Sequence, residues 1–162
     1  MEPHRDTDGV VLSPELREAL TTFVQRQLHE VSVLWPSMLR LRLQKHLTGL
    51  SPGHVLGRGG ISDPALEQSI VEAGGLRTSA STVDGEPVYV LPRRDDGKDD
   101  VRAAALELLN AKSSLKIGSL RKKVTDGNGV MPNDNELKKV LKEFCETRGG
   151  CWHLRGTIGT EH

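Results

Sequence analysis

The strongest constraint on this chain is a short pattern that occurs twice. At an offset of 82, Ser32, Val33, Trp35, Ser37 and Met38 fall on Ser114, Leu115, Ile117, Ser119 and Leu120. Small polar and apolar positions match through a corner where an extended piece turns into a helix. In a chain of 162 residues such a repeat divides nearly the whole length into two similar units. Each falls near the lower end of the size range of domains, about 50 to 200 residues. Two small cores are therefore expected.

The first unit opens at Ser13-Pro14, an N-cap residue followed by a proline whose missing N–H costs nothing at the first helical position. Leu16, Leu20, Phe23, Val24, Leu28 and Val31 then recur at three- and four-residue steps, the spacing of an amphipathic helix. Ser32-Val-Leu34 is a short extended piece, and Pro36 starts a second helix. Leu39-Arg-Leu-Arg-Leu43 alternates like a strand, but Met38, Leu39, Leu43, Leu47 and Leu50 carry helical spacing beyond strand length. Ser62-Asp63-Pro64 opens a third helix with Leu66, Ile70 and Ala73 inward, and Gly74-Gly75 stops it by accepting positive φ. A hairpin follows, from Leu76 to Ser79, around Asp84-Gly85, and back along Val88 to Leu91.

The second unit repeats this order. A helix presents Val101, Ala105, Leu108 and Leu109 on one face, Leu115-Lys-Ile117 is the short strand, and Ser119 to Val124 form a brief second helix. Asn133 followed by Glu136 resembles a capping box. It introduces a third helix with the stripe Leu137, Val140, Leu141, Phe144 and Cys145. Arg148-Gly-Gly150 turns the chain into a last strand, Cys151 to Arg155. Three helices with a terminal hairpin make the winged form of the helix-turn-helix, in which neither helices nor hairpin can bury an apolar face alone. The fold class expected is mainly α with small β wings, an α+β arrangement of tandem winged-helix domains. The domains run over 12–91 and 100–157, with a disordered lead-in at 1–11, a polar linker at 92–99 and a tail at 158–162.

Chemistry-bearing motifs are sparse. There is no P-loop, nucleophile elbow or zinc-protease helix, and Gly57-Arg-Gly-Gly60 reads as a flexible loop because Asp and Pro, not a Lys-Ser or Lys-Thr pair, follow it. Asp95-Asp96 and Asp99-Asp100 read as solvated linker charges, and His29, His46, His54 and His153 stand in separate elements. Cys145, on the apolar face of the third helix, and Cys151, opening a strand, read as reduced, metal-free small hydrophobes. No catalytic residue, cofactor site or metal site is expected. No apolar run approaches the roughly 20 residues of a membrane span, and the first residues lack the basic and apolar regions of a secretory signal, which points to a reducing compartment.

Charge is balanced overall and unbalanced by half. Residues 1–91 carry 8 Lys/Arg against 11 Asp/Glu, net −3, and residues 100–162 carry 11 against 8, net +3. A winged helix reads DNA by placing its third helix in the major groove. The third helix of the first unit holds Asp63, Glu67 and Glu72 with no Lys or Arg, so it repels the phosphates it must approach. Only Arg121, Lys122, Lys123, Lys138, Lys139, Lys142 and Arg148 qualify as contacts to an anionic partner. The acids Asp134, Glu136, Glu143 and Glu146 offset the lysines of that helix, so nucleic-acid binding is expected to be weak or absent.

Several strings in order are more specific than any one of them. Ser51-Pro-Gly-His54, Gly60-Ile-Ser-Asp63, Val71-Glu-Ala-Gly74, Lys139-Val-Leu-Lys142 and the ending Gly149-Gly-Cys-Trp-His-Leu-Arg-Gly-Thr157 resemble the C-terminal extension of the larger partner in the TFIIF-like heterodimer of eukaryotic RNA polymerase III. The likeness runs over residues 12–157, departing at His153, where tyrosine is more usual. The family's N-terminal dimerisation barrel has no counterpart in these residues. The resemblance implies tandem winged helices, a nuclear location, other polymerase subunits as partners, a role in polymerase integrity and no catalytic residues. A free-standing DNA-binding transcription regulator is the alternative.

Overall fold

A computed structural model of the protein describes residues 12–51, 53–58 and 61–157. The lead-in at 1–11, the tail at 158–162, and Gly59 and Gly60 of the glycine loop lie outside the described residues. The chain is mixed α+β, with six α-helices among the described residues and two small antiparallel sheets. The first half contains α1 (Pro14–Val31), β1 (Val33–Leu34), α2 (Pro36–Leu47), α3 (Asp63–Glu72), β2 (Leu76–Ser81) and β3 (Pro87–Val90). The second contains α4 (Asp99–Lys112), α5 (Ile117–Asn128), α6 (Asp134–Phe144), β4 (Cys145–Arg148) and β5 (Cys151–Leu154).

Local chemistry sets the helix ends. The Ser13 hydroxyl accepts from the Leu16 N–H at 3.1 Å with Pro14 in the first turn, and the Ser62 hydroxyl accepts from the Ala65 N–H at 3.3 Å. Asn133 caps α6 through the Asn135 N–H at 2.7 Å, one residue earlier than a capping box requires. Gly74 sits at φ +104° after α3. Gly75 serves by size instead, since a Cβ there would approach Ile70 Cγ2 to 2.5 Å.

Both halves turn their first corner in the same way. Ser32 and Ser113 adopt left-handed φ values of 64° and 67° and donate their N–H groups to Leu28 O and Leu109 O, both at 2.8 Å. These corners lie 81 residues apart, so the structural repeat runs at 81 where the sequence match suggested 82. Burial confirms the shift: Leu20, Phe23, Val24, Leu28, Leu34, Leu39 and Leu43 correspond to Val101, Ala104, Ala105, Leu109, Leu115, Leu120 and Val124, all buried. The similarity of Ser32 to Ser114 and Ser37 to Ser119 had pulled the alignment one residue out of register.

Strand topology repeats too. The first sheet has the order β1-β3-β2, with Leu34 opposite Tyr89 and Leu76 opposite Val90. In the second half β4 pairs with β5, and Leu115 bridges Trp152 on the outer side of β5, giving the same order. Here the expected Leu115–Ile117 strand shrinks to that bridge. Ile117 begins α5 because it packs inward with Leu120 and Val124, a helical spacing of three and four. That helix continues past Val124 to Asn128, where Gly129 at φ +74° ends it. Cys145 also differs from expectation: it follows α6 in extended conformation and pairs with Leu154 in β4. Residue 145 continues both the helical stripe and a strand alternation, so apolar spacing alone could not separate the two.

The two cores meet at the first sheet. Leu34, Tyr89 and Leu91 face α1–α3, whereas Val33, Val88 and Val90 lie in one cluster with Leu106, Leu109, Leu141 and Phe144 of the second half. Hydrogen bonds close the same boundary. Ser79 donates from its N–H to Asn110 Oδ1 at 3.0 Å and from its hydroxyl to Asn110 O at 3.1 Å. Arg155 spans the C-terminal turns of α1 and α6 through Val31 O at 3.2 Å and Lys142 O at 2.8 Å. Trp35 covers Gly156, whose φ of +86° and 2.7 Å clearance leave no room for a Cβ.

Candidate partner-binding surface

Seven basic residues were the candidates for an anionic partner, and the fold separates them into groups. Arg121 on α5 is committed to Asp134 at the start of α6, with Nε–Oδ1 at 2.9 Å and Nη2–Oδ2 at 2.7 Å. Lys123 reaches Glu107 of α4 at 3.2 Å. Arg148, on β4, is half-buried. Lys122, Lys138, Lys139 and Lys142 are exposed and make no ion pair among the described residues. Lys138 and Lys142 stand one turn apart on α6, so a small free cationic face remains.

The Arg121–Asp134 pair has a counterpart in the first half, where Arg40 of α2 meets Asp63 of α3 at 2.6 Å. Each pair joins the second helix of its half to the first turn of the third. The other acids of α3 are engaged as well. Glu67 accepts from the Tyr89 hydroxyl at 2.8 Å, and Glu72 is held by Arg17 of α1, with Nε–Oε1 at 3.0 Å. The repulsion expected of this acidic helix is thus weaker than its formal charge, because two of its three carboxylates neutralise arginines. It still offers no cation to a phosphate.

Glu143, which follows Asp134 on α6 as Glu72 follows Asp63 on α3, holds the largest ionic cluster among the described residues. The fully buried Arg102 guanidinium is bidentate to Glu143 (2.9 and 2.8 Å) and to Asp96 (2.7 and 2.7 Å), and it reaches Asp99 at 2.7 Å. Asp99 also accepts the N–H groups of Arg94 at 2.9 Å and Asp95 at 3.1 Å. Arg94 turns back to His29 O at 3.0 Å and the Ser32 hydroxyl at 2.5 Å. Asp96 and Asp99, expected to be solvated linker charges, are therefore structural. The signal missed in the sequence was Arg102 itself, placed four residues before Leu106 on the inward face of α4.

Hydrogen bonds from Arg102 hold the Asp96 carboxyl far below the usual carboxylate range, and the Arg94 N–H first, with Arg102 adding to it, lowers Asp99. A carboxyl whose folded pKa is depressed contributes stability above its unfolded pKa, about 3.9 for Asp, and loses it as pH falls toward the folded value. Thermal unfolding followed from pH 7 to pH 2 is expected to show falling stability below about pH 4. Asp96→Asn should lower the pH 7 midpoint and flatten that slope, and an unchanged slope would remove Asp96 from the cluster's energetics.

Burial raises the Cys145 thiol to about 12, which keeps it protonated and inert as a nucleophile. Burial first, then the bond to Glu67, raises Tyr89 to about 12. Among the described residues no group of three His, Cys, Asp or Glu side chains is placed to hold a metal ion, and no helix is long and apolar enough to cross a membrane.

Comparison with known proteins agrees with the strings that span both halves. Residues 3–160 match the family described as DNA-directed RNA polymerase III subunit RPC5 C-terminal. A human protein named DNA-directed RNA polymerase III subunit RPC5 is 31% identical over 157 residues, covering 93% of this chain and 22% of the relative. The mouse protein of the same name is 30% identical over 146 residues, covering 86% of this chain and 20% of the relative. The chain thus spans about a fifth of the length of these relatives. With nearly the full length matched, from before α1 to beyond β5, this chain belongs to the RPC5 C-terminal family of RNA polymerase III subunits.

Proposed function

We propose that this chain is a non-catalytic protein-interaction module of a peripheral RNA polymerase III subunit, acting in the nucleus to support the polymerase's assembly and integrity in transcription of small non-coding RNAs. Its parent is read as the larger partner of the TFIIF-like heterodimer. The two halves are read as winged-helix domains over 12–91 and 100–157, joined through 92–99. The observation that carries the reading is the family match over residues 3–160. The repeated corner, the repeated strand order and the paired Arg40–Asp63 and Arg121–Asp134 bridges support the tandem assignment. Other polymerase subunits are the expected partners. Tagging the protein at its chromosomal locus and purifying it should recover the polymerase III subunits. A clean preparation without them would overturn the reading.

Of the seven basic candidates, the exposed Lys122, Lys138, Lys139 and Lys142 are the ones that favour a DNA-binding regulator. Four lysines neutralise at most about four phosphates, so log affinity should fall with log salt at a slope no steeper than about −4. Binding to duplex DNA at near-physiological salt should be weak, with a Kd of roughly 10⁻⁶ to 10⁻⁴ M, and indifferent to sequence, because phosphate contacts position a protein without reading bases. Lys138→Glu with Lys142→Glu should shallow the slope by about two. Tight, sequence-selective binding in a salt titration would replace the interaction module with the regulator.

A further inference from the structure

The outer face of α2 carries an open groove of about 710 Å³. Trp35, Met38, Leu41 and Lys45 follow one another at three- and four-residue steps along it, with Leu41 66% exposed. The molecule contains its own control for this surface. At the repeat spacing of 81 established by the two corners, the corresponding positions on α5 are Lys116, Ser119, Lys122 and Asp126, all polar and exposed. The same helix, in the same place in the same supersecondary unit, is thus built without one apolar residue on that face. Folding does not require the exposed Leu41, so its retention calls for another cause, and exposed apolar surface rimmed by polar groups is characteristic of interaction sites.

Charge narrows the occupant. No carboxylate lines the groove, whereas Arg42 and Lys45 do. The Arg42 guanidinium is already paired with Glu30 at 2.8 Å and bonded to Gln27. Lys45 is exposed with no ion-pair partner among the described residues. Glu86, bonded to the groove residue Ser37, is spent on α2 itself, accepting from the Ser37 N–H at 2.8 Å and the Ser37 hydroxyl at 2.6 Å. The Lys45 end is left cationic and the Trp35–Leu41 floor apolar.

We infer that this groove receives an acidic amphipathic helix from another polypeptide, its apolar side on Met38 and Leu41 and a carboxylate on Lys45. Such seating follows the general helix-in-groove mode, with anchors one turn apart. It rests on the interaction-module reading and deepens it by assigning that module a surface in the first half, lined by none of the candidate lysines of the second.

The test uses the full chain and an array of peptides of about 16 residues, slightly longer than the 12-residue α2. One set tiles the polymerase III subunits. A second set contains designed acidic amphipathic helices and their charge-reversed basic twins. Bound peptides are expected to be acidic and amphipathic. Leu41→Lys, which installs the residue found at the equivalent position 122, should weaken them at least tenfold without altering thermal unfolding. Lys45→Glu should weaken acidic peptides and improve basic twins. Equal binding by Leu41→Lys, or no acidic amphipathic binder in either set, overturns the groove. Because the designed set does not depend on partner identity, the groove is tested separately from the polymerase assignment, which copurification from the tagged locus decides.

Discussion

Phe144→Ala is expected to destabilise the chain by about 3 to 5 kcal/mol and to unfold both halves in one transition. The ring is fully buried at the C-terminal end of α6, and deleting a buried phenyl removes its transfer energy and leaves a cavity that neighbours fill only in part. The ring belongs to one buried cluster with Val33, Val88 and Val90 from the first sheet, so the loss is felt on both sides of the boundary. Against a typical stability of about 5 to 15 kcal/mol, such a change is a large fraction of the total. Calorimetry combined with fluorescence of Trp35 and Trp152, one in each half, checks both parts of the statement. Two separated transitions would mean the cores are energetically independent, and an unchanged midpoint would mean the side chain is not in the core.

Arg102→Ala should cost about 3 kcal/mol at neutral pH, by a different route. Removing one member of a buried ion cluster strands the others, at about 3 to 5 kcal/mol. The low end applies here because Asp96 is 41% exposed and can recruit water. The diagnostic result is in the pH dependence. With the guanidinium gone, Asp96 loses the largest cause of its depression while backbone N–H groups still hold Asp99 low, so the variant loses less stability than the parent as pH falls. The parent protein loses stability over the same range. Converging unfolding midpoints below about pH 4 are therefore expected, and parallel curves would show that the arginine acts only by filling space.

Both results probe what the sequence could and could not convey. Helix starts were legible because Ser13-Pro14, Pro36, Ser62-Asp63-Pro64 and Asn133 supply caps, fixed backbone geometry or both, and α1, α2, α3 and α6 begin where those signals place them. Apolar spacing likewise marked Leu137, Val140, Leu141 and Phe144 as core. Ambiguity entered where two periodicities shared residues, at Ile117 and Cys145, and tertiary packing decided each. The polar run at 92–99 was opaque for another reason. Composition reports how many charges a segment carries, not that Arg102 and Glu143, the latter more than 40 residues later, close around them. Of the seven basic candidates, nothing local to Arg121 or Lys123 announced that Asp134 and Glu107 would claim them.

The sheet with a core on each side also bears on inheritance. Two similar units in tandem are commonly pictured as beads, each free to be copied, lost or moved to another gene. Here Val33, Val88 and Val90 answer to α1–α3 through their own strands and to α4–α6 through their side chains. Excising the second half would lay bare an oily strip on the first, and excising the first would take three valines from the cluster that holds Phe144. The smallest piece that evolution, or a protein engineer, can transplant intact is therefore the pair.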